Sequence, residues 1–224
     1  MLQRRNLSLT FLDFPPVKPE NAPLMLMLHG YGSNEKDLMQ LSPLLLQGMR
    51  YISARAPVFL DFGMFGWFPI AFTPNGITVD YDAAADARDK LIVFIRELIS
   101  EYRPSGNKIY LLGFSQGTVM SYLTAFHAPE LLHGVMALSG QLPGNSLQAE
   151  LKPELQSLPF LVMHGLYDDI LPIEKGRQAN EWLQQHVRDL VYREYPVAHQ
   201  IPEEGIRLVR SWLEEKVPQT ERKA

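Results

Sequence analysis

The 224-residue sequence contains no cysteine. Disulfide bonds, a thiolate nucleophile and cysteine-ligated zinc are therefore excluded. No apolar run reaches transmembrane length, and Arg4 and Arg5 are not followed by the long apolar stretch of a signal peptide. We therefore expect a cytoplasmic protein without stable insertion into a membrane.

An excess of positive charge is also lacking. The 21 lysines and arginines stand against 25 aspartates and glutamates, which gives a net charge of −4. This mild acidity provides no electrostatic reason to expect nucleic acid or an anionic membrane as a partner. The hydrophobic content of 46% is that of an ordinary globular protein. The length predicts a single domain over residues 1–224.

Short apolar runs alternate with longer segments of helical periodicity. The run at 24–28 is uniformly apolar, as in a central strand that is covered on both faces. Strands separated by helices of ten or more residues favour parallel pairing, with helices on both faces of the sheet. The predicted fold class is therefore α/β with a mostly parallel central sheet. The predicted strands are 7–14, 24–28, 51–54, 109–112, 135–138, 160–163 and 190–195, and the predicted helices include 35–47, 82–103 and 203–217.

The segment Gly113-Phe114-Ser115-Gln116-Gly117 joins a predicted strand to a predicted helix. A G-x-S-x-G motif in this context is a nucleophile elbow, a strained turn that exposes the serine oxygen at a helix N-terminus. Chance alone predicts roughly 0.05 such matches in a chain of this composition. We therefore identify Ser115 as a candidate nucleophile.

A serine hydroxyl needs a base to accept its proton, and the base needs an acid to hold it. In this architecture the acid and then the base follow the serine along the chain. Of the six histidines, His199 alone lies between the last predicted strand and the last predicted helix. The acid should follow the strand at 160–163, where Asp168 and Asp169 both satisfy the spacing.

The tetrahedral intermediate of acyl transfer requires two backbone amides that point at its oxyanion. The residue after the nucleophile, Gln116, supplies one. The loop after the strand at 24–28 supplies the other, and Tyr31, between two glycines, is the natural donor.

Six aromatic residues between 59 and 72 lie among glycines and prolines without a helical or strand period. They indicate a loop packed onto the core or a wall of an apolar substrate pocket, and these interpretations are compatible. We expect Trp67 to lie near the site.

Five motifs occur in the order and spacing of one protein family. They are Leu28-His-Gly-Tyr-Gly-Ser33, Gly113-Phe-Ser-Gln-Gly117, Leu138-Ser-Gly-Gln-Leu-Pro143, His164-Gly-Leu-Tyr-Asp168 and Pro196-Val-Ala-His199. The chain resembles the phospholipase/carboxylesterase group of α/β-hydrolases, which includes the acyl-protein thioesterases. The resemblance extends from about Leu24 to Val217 and implies the α/β-hydrolase fold.

The resemblance also implies roles for individual residues. It makes Ser115 the nucleophile, His199 the base and Asp168 the acid. It implies Tyr31 and Gln116 as oxyanion donors. The substrate-binding residues expected from it are Trp67, Phe68 and Leu142. Pro69 stands where the family often has an acidic residue, and Tyr31 replaces a small aliphatic residue.

The sequence therefore predicts a serine hydrolase of carboxylic esters or thioesters that uses neither a metal nor a cofactor and acts on a small-molecule substrate. One alternative keeps the chemistry but changes the bond, as in a peptidase or a dienelactone hydrolase. Another is a non-catalytic module that binds a small ligand. The sequence sets neither the acyl chain length nor the leaving group, and a homodimer is compatible with it.

Overall fold

The computed structural model describes residues 2–73, 76–144 and 151–221. Its centre is an eight-stranded sheet with the strand order β1-β2-β4-β3-β9-β10-β11-β12. Two two-stranded hairpins, β5–β6 and β7–β8, lie outside this sheet. The strands are β1 (Gln3–Asn6), β2 (Thr10–Phe14), β3 (Leu24–Leu28), β4 (Arg50–Ala54), β5 (Val58–Asp61), β6 (Met64–Gly66), β7 (Ile70–Thr73), β8 (Gly76–Val79), β9 (Ile109–Phe114), β10 (Leu132–Leu138), β11 (Phe160–Gly165) and β12 (Leu190–Tyr195), and the α-helices are α1 (Tyr81–Tyr102), α2 (Gln116–His127), α3 (Glu174–His186) and α4 (Glu203–Lys216).

Every strand pair from β4 to β12 in this sheet is parallel, whereas β2 pairs antiparallel with both β1 and β4. The predicted α/β class with a mostly parallel sheet is therefore confirmed. The carboxyl ends of the parallel strands meet at one edge, where active sites of such sheets form.

Alternate residues of β3 belong to two separate hydrophobic cores. Leu24, Leu26 and Leu28 pack with helices α1, α2 and α3, while Met25 and Met27 pack with α4 on the opposite face. All five residues are fully buried. The uniformly apolar run therefore arises because both faces of the sheet are covered by helices, as predicted.

Two local predictions were wrong. The segment predicted as a helix over 35–47 forms only a 3-10 helix, Leu38–Leu44, with Pro43 inside it. Proline lacks the amide hydrogen that an α-helix needs and also clashes with the preceding turn. The aromatic segment is not an irregular loop, because it forms the β5–β6 hairpin and β7. Within the described part of the chain, none of the helices is both long and apolar enough to span a bilayer.

Candidate active site

Ser115 lies at the sharp turn between β9 and α2. Its backbone angles are φ 55° and ψ −116°, a conformation that side-chain-bearing residues rarely adopt. The Ser115 amide donates a hydrogen bond to the Leu138 carbonyl at 3.0 Å, which ties the strained turn to β10. The surrounding structure thus holds the predicted elbow in place.

This turn requires the two glycines of the motif, because a side chain at either position would clash with the backbone. A Cβ atom on Gly113 would lie 2.3 Å from the Gly117 carbonyl oxygen. A Cβ atom on Gly117 would lie 2.0 Å from the carbonyl oxygen of Leu28. Both distances are far below van der Waals contact, so the elbow and the end of β3 approach each other only with glycine at these positions.

Asp168 and His199 form a hydrogen-bonded pair at the ends of β11 and β12. Nδ1 of His199 lies 2.7 Å from Oδ2 of Asp168, whose side chain is fully buried. The other carboxylate oxygen accepts hydrogen bonds from the backbone amides of Ile170 at 3.0 Å and Leu171 at 2.8 Å. Asp169, the alternative left open by spacing, is exposed. The structure thus places Asp168 against the histidine.

One apolar cavity of about 270 Å³ is lined by Ser115, His199, Gln116 and Tyr31. The ring of His199 packs beside Phe114, the residue before Ser115, with 4.9 Å between the ring centroids. Among the described residues that line the cavity, His199 is ionisable near neutral pH, and none is a carboxylate, lysine or arginine. The other lining residues are Phe68, Ile70, Val79, Val119, Gln141, Ile170 and Leu171.

The loop that carries Tyr31 lies directly against the elbow. A Cβ atom on Gly30 would lie 3.2 Å from the Cβ atom of Ser115. The loop is held by the β5–β6 hairpin, because the Gly32 amide donates to the Phe65 carbonyl at 2.9 Å. The structure therefore brings together both predicted oxyanion donors, Tyr31 and Gln116, beside the serine.

The side chain of Gln116 has a function that sequence reasoning missed. Its oxygen accepts a hydrogen bond from the Trp67 amide at 2.8 Å, and its nitrogen donates to the Phe68 carbonyl at 2.7 Å. Both bonds are buried, so they are strong constraints on the chain. Gln116 thereby fixes the Trp67–Phe68 backbone against the start of α2.

The structure places one of the three predicted substrate-binding residues in the wall of the Ser115 cavity. Phe68 lines the cavity, but Trp67 does not, because it is only 1% exposed and its indole donates to the His29 carbonyl at 2.9 Å. Trp67 supports the cavity wall from behind. Leu142 lines a neighbouring cavity, which shares Gln141 with the Ser115 cavity.

His29, directly after β3, and His164, in β11, are both buried. Burial lowers the pKa of His29, whose Nε2 accepts a hydrogen bond from the Ala56 amide at 3.0 Å. His164 lies beside the acid of the site. Its Nε2 lies 2.7 Å from the Leu171 carbonyl oxygen and 3.4 Å from Oδ2 of Asp168. His164 therefore braces the turn that carries the acid.

Metal-ligand clusters of three or more histidine, aspartate or glutamate side chains do not occur among the residues that the structure describes.

Comparisons with known proteins identify the family of this chain. The sequence model of the phospholipase/carboxylesterase family matches residues 15–217. A probable carboxylesterase of Oryza sativa subsp. japonica is 27% identical in an alignment of 216 positions that covers 91% of this chain and 81% of the relative. Acyl-protein thioesterase 1 of Emericella nidulans is 26% identical and aligns over 91% of this chain and 94% of its own.

The crystal structure of esterase PE8 superposes with a TM-score of 0.79 at 26% identity and covers 92% of this chain and 97% of its own. It shares the α/β-hydrolase fold that the strand order and the elbow indicate. The chain therefore belongs to the phospholipase/carboxylesterase family of α/β-hydrolases and is an ester or thioester hydrolase.

Proposed function

We propose that this protein hydrolyses small carboxylic esters or thioesters through an acyl-enzyme on Ser115. The observation that carries the proposal is the position of His199. Its Nδ1 lies 2.7 Å from Oδ2 of buried Asp168, and its ring lines the same apolar cavity as Ser115. A binding module would not need an acid, a base and a strained serine in one place. The relatives described above are esterases and thioesterases, and none of them favours a peptidase.

The first half-reaction transfers the acyl group to the enzyme. Because Asp168 accepts the hydrogen on Nδ1, the other ring nitrogen of His199 is free to take the hydroxyl proton of Ser115. The serine oxygen attacks the acyl carbon, and the carbonyl oxygen becomes negative. The backbone amides of Tyr31 and Gln116 stabilise this charge, aided by the positive end of the α2 dipole.

His199 then gives its proton to the departing alcohol or thiol, and the bond from the acyl carbon to the leaving group breaks. In the second half-reaction His199 takes a proton from water, which attacks the acyl-enzyme. The serine regains its proton as the carboxylic acid is released. Each step uses one proton that passes through the same imidazole.

The lining of the Ser115 cavity supports an uncharged acyl group as the substrate portion that binds there. Burying an unpaired carboxylate or ammonium among these side chains would be costly. An aliphatic or aromatic acyl chain instead gains the free energy of apolar burial.

The experiment is the Ser115→Ala variant, assayed with p-nitrophenyl butyrate and with a fluorophosphonate probe. We expect kcat/KM to fall by several orders of magnitude and labelling to disappear. Ser121→Ala is the matched control, because Ser121 lies on the same helix and donates only to the Gly117 carbonyl at 2.9 Å. Its kcat/KM should change by about twofold at most. Full activity of Ser115→Ala would refute the proposal.

A further inference from the structure

His199 lines two cavities. One is the Ser115 cavity described above. The other, of about 380 Å³, is lined by His199 together with Phe114, Leu41 and Ile201. Ser115 does not line this second cavity. The base therefore borders two compartments, whereas the nucleophile borders only the first.

A substrate of acyl transfer has two parts, the acyl group and the leaving group, and each part must meet a different catalytic residue. The acyl carbon must meet Ser115, and the leaving-group atom must meet the proton on His199. With the acyl chain in the neutral Ser115 cavity, the leaving group extends past His199. This step depends on the proposed function, because it requires His199 to be the proton donor.

The second cavity is lined by a carboxylate, whereas the described residues that line the first include none. Asp37 lies at its rim as an exposed carboxylate, and the hydroxyl of Ser33 donates a hydrogen bond to it at 2.8 Å. The remaining side chains of the wall, except His199, are apolar or carry neutral amides. A fixed negative charge at this place attracts a cation and repels an anion.

We propose that the cavity beyond His199 is the leaving-group site, and that it selects cationic or neutral leaving groups over anionic ones through Asp37. The apolar residues Leu38, Leu41 and Ile201 contact the carbon atoms of the leaving group. A trimethylammonium-bearing alcohol or thiol has both properties that the site recognises, an apolar surface and a positive charge.

Two thioesters of matched size test the proposal. Butyrylthiocholine and the butyryl thioester of 2-mercaptoethanesulfonate share the acyl group and the ethylene spacer, and their leaving groups carry opposite charges. A chromogenic disulfide reagent detects both thiols. Since the protein has no cysteine, it gives no background reaction. The readout is the ratio of kcat/KM for the cationic substrate to that for the anionic one.

Asp37→Asn should lower this ratio roughly tenfold. One charge at the rim changes kcat/KM by about two- to fivefold for each substrate, and the two changes have opposite signs. The asparagine oxygen still accepts the bond from Ser33. High salt should reduce the wild-type ratio toward that of the variant.

Glu181→Gln is the matched control. Glu181 lines the neighbouring cavity that shares Gln141 with the Ser115 cavity and is not lined by His199, and its replacement should leave the ratio unchanged. A ratio that responds to Glu181→Gln and not to Asp37→Asn would reverse the assignment of the two ends. A ratio that responds to neither variant would also overturn it. In both cases Ser115→Ala would still abolish turnover of either thioester, so the proposed function would stand.

Discussion

Replacing Asp168 by asparagine tests how the acid acts. The substitution keeps the size of a fully buried side chain and exchanges one oxygen for an NH₂ group. In the wild type, Oδ1 accepts from the amides of Ile170 and Leu171, while Oδ2 accepts from Nδ1 of His199. An asparagine retains both amide bonds only with its oxygen at the Oδ1 position. Its NH₂ group then faces His199.

This exchange changes where the proton of His199 resides. A donor facing Nδ1 requires Nδ1 to be an acceptor, so the ring proton moves to Nε2. The nitrogen that should take the proton of Ser115 is then already protonated. In serine hydrolases, conversion of the acid to its amide lowers kcat by about 10⁴, which corresponds to about 5.5 kcal/mol of transition-state stabilisation. We expect a loss of this size.

The assay is kcat/KM for p-nitrophenyl butyrate, with a thermal unfolding curve to show that each variant is folded. Asp169→Asn is the matched control, because it makes the same chemical change at the next residue, which is exposed. Its activity should fall by about twofold at most. A larger loss at position 169, or a loss of less than about tenfold at position 168, would refute the assignment of the acid.

Two further predictions concern stability and chain length. Burial alone would raise the pKa of Glu35, but its bonds to Arg55 and Arg4 lower it from 4.5 to about 2. The free energy that this carboxylate contributes to folding is therefore complete above pH 4.5 and is lost as the pH falls toward 2. Glu35→Gln should lower the free energy of unfolding in urea by about 1–2 kcal/mol at pH 7 and by less at pH 3. An equal difference at both pH values would contradict this. Ile70 lines the Ser115 cavity, so Ile70→Trp should lower kcat/KM for p-nitrophenyl octanoate about tenfold or more relative to the acetate. An unchanged octanoate-to-acetate ratio would place the acyl chain elsewhere.

Local patterns were sufficient to predict the parallel sheet and the elbow. Both depend on residues that are close together in the chain. Examples are the apolar run of β3 and the glycines two positions before and two positions after Ser115. No larger residue fits at positions 113 and 117, so the sequence must have glycine at both, and this pattern can be recognised without the structure.

The positions that sequence reasoning left open or misplaced depend on distant contacts. Asp168 and Asp169 both satisfy the spacing expected of the acid. Only the structure shows that Asp168 contacts His199, 31 residues away, because β11 pairs with β12. The contact of Gln116 with Trp67 likewise joins positions 49 residues apart. That contact turns Trp67 from an expected substrate contact into a buried support.

The two compartments around His199 also have no counterpart in any local motif. The wall of the second cavity comes from the segment after β3, the end of β9 and the loop after β12, which are adjacent only when the sheet is assembled. Periodicity and motifs report the neighbours of a residue within a turn or a strand. The burial, orientation and charge environment of a side chain are set by elements far away in the chain, and only the folded structure brings those elements together.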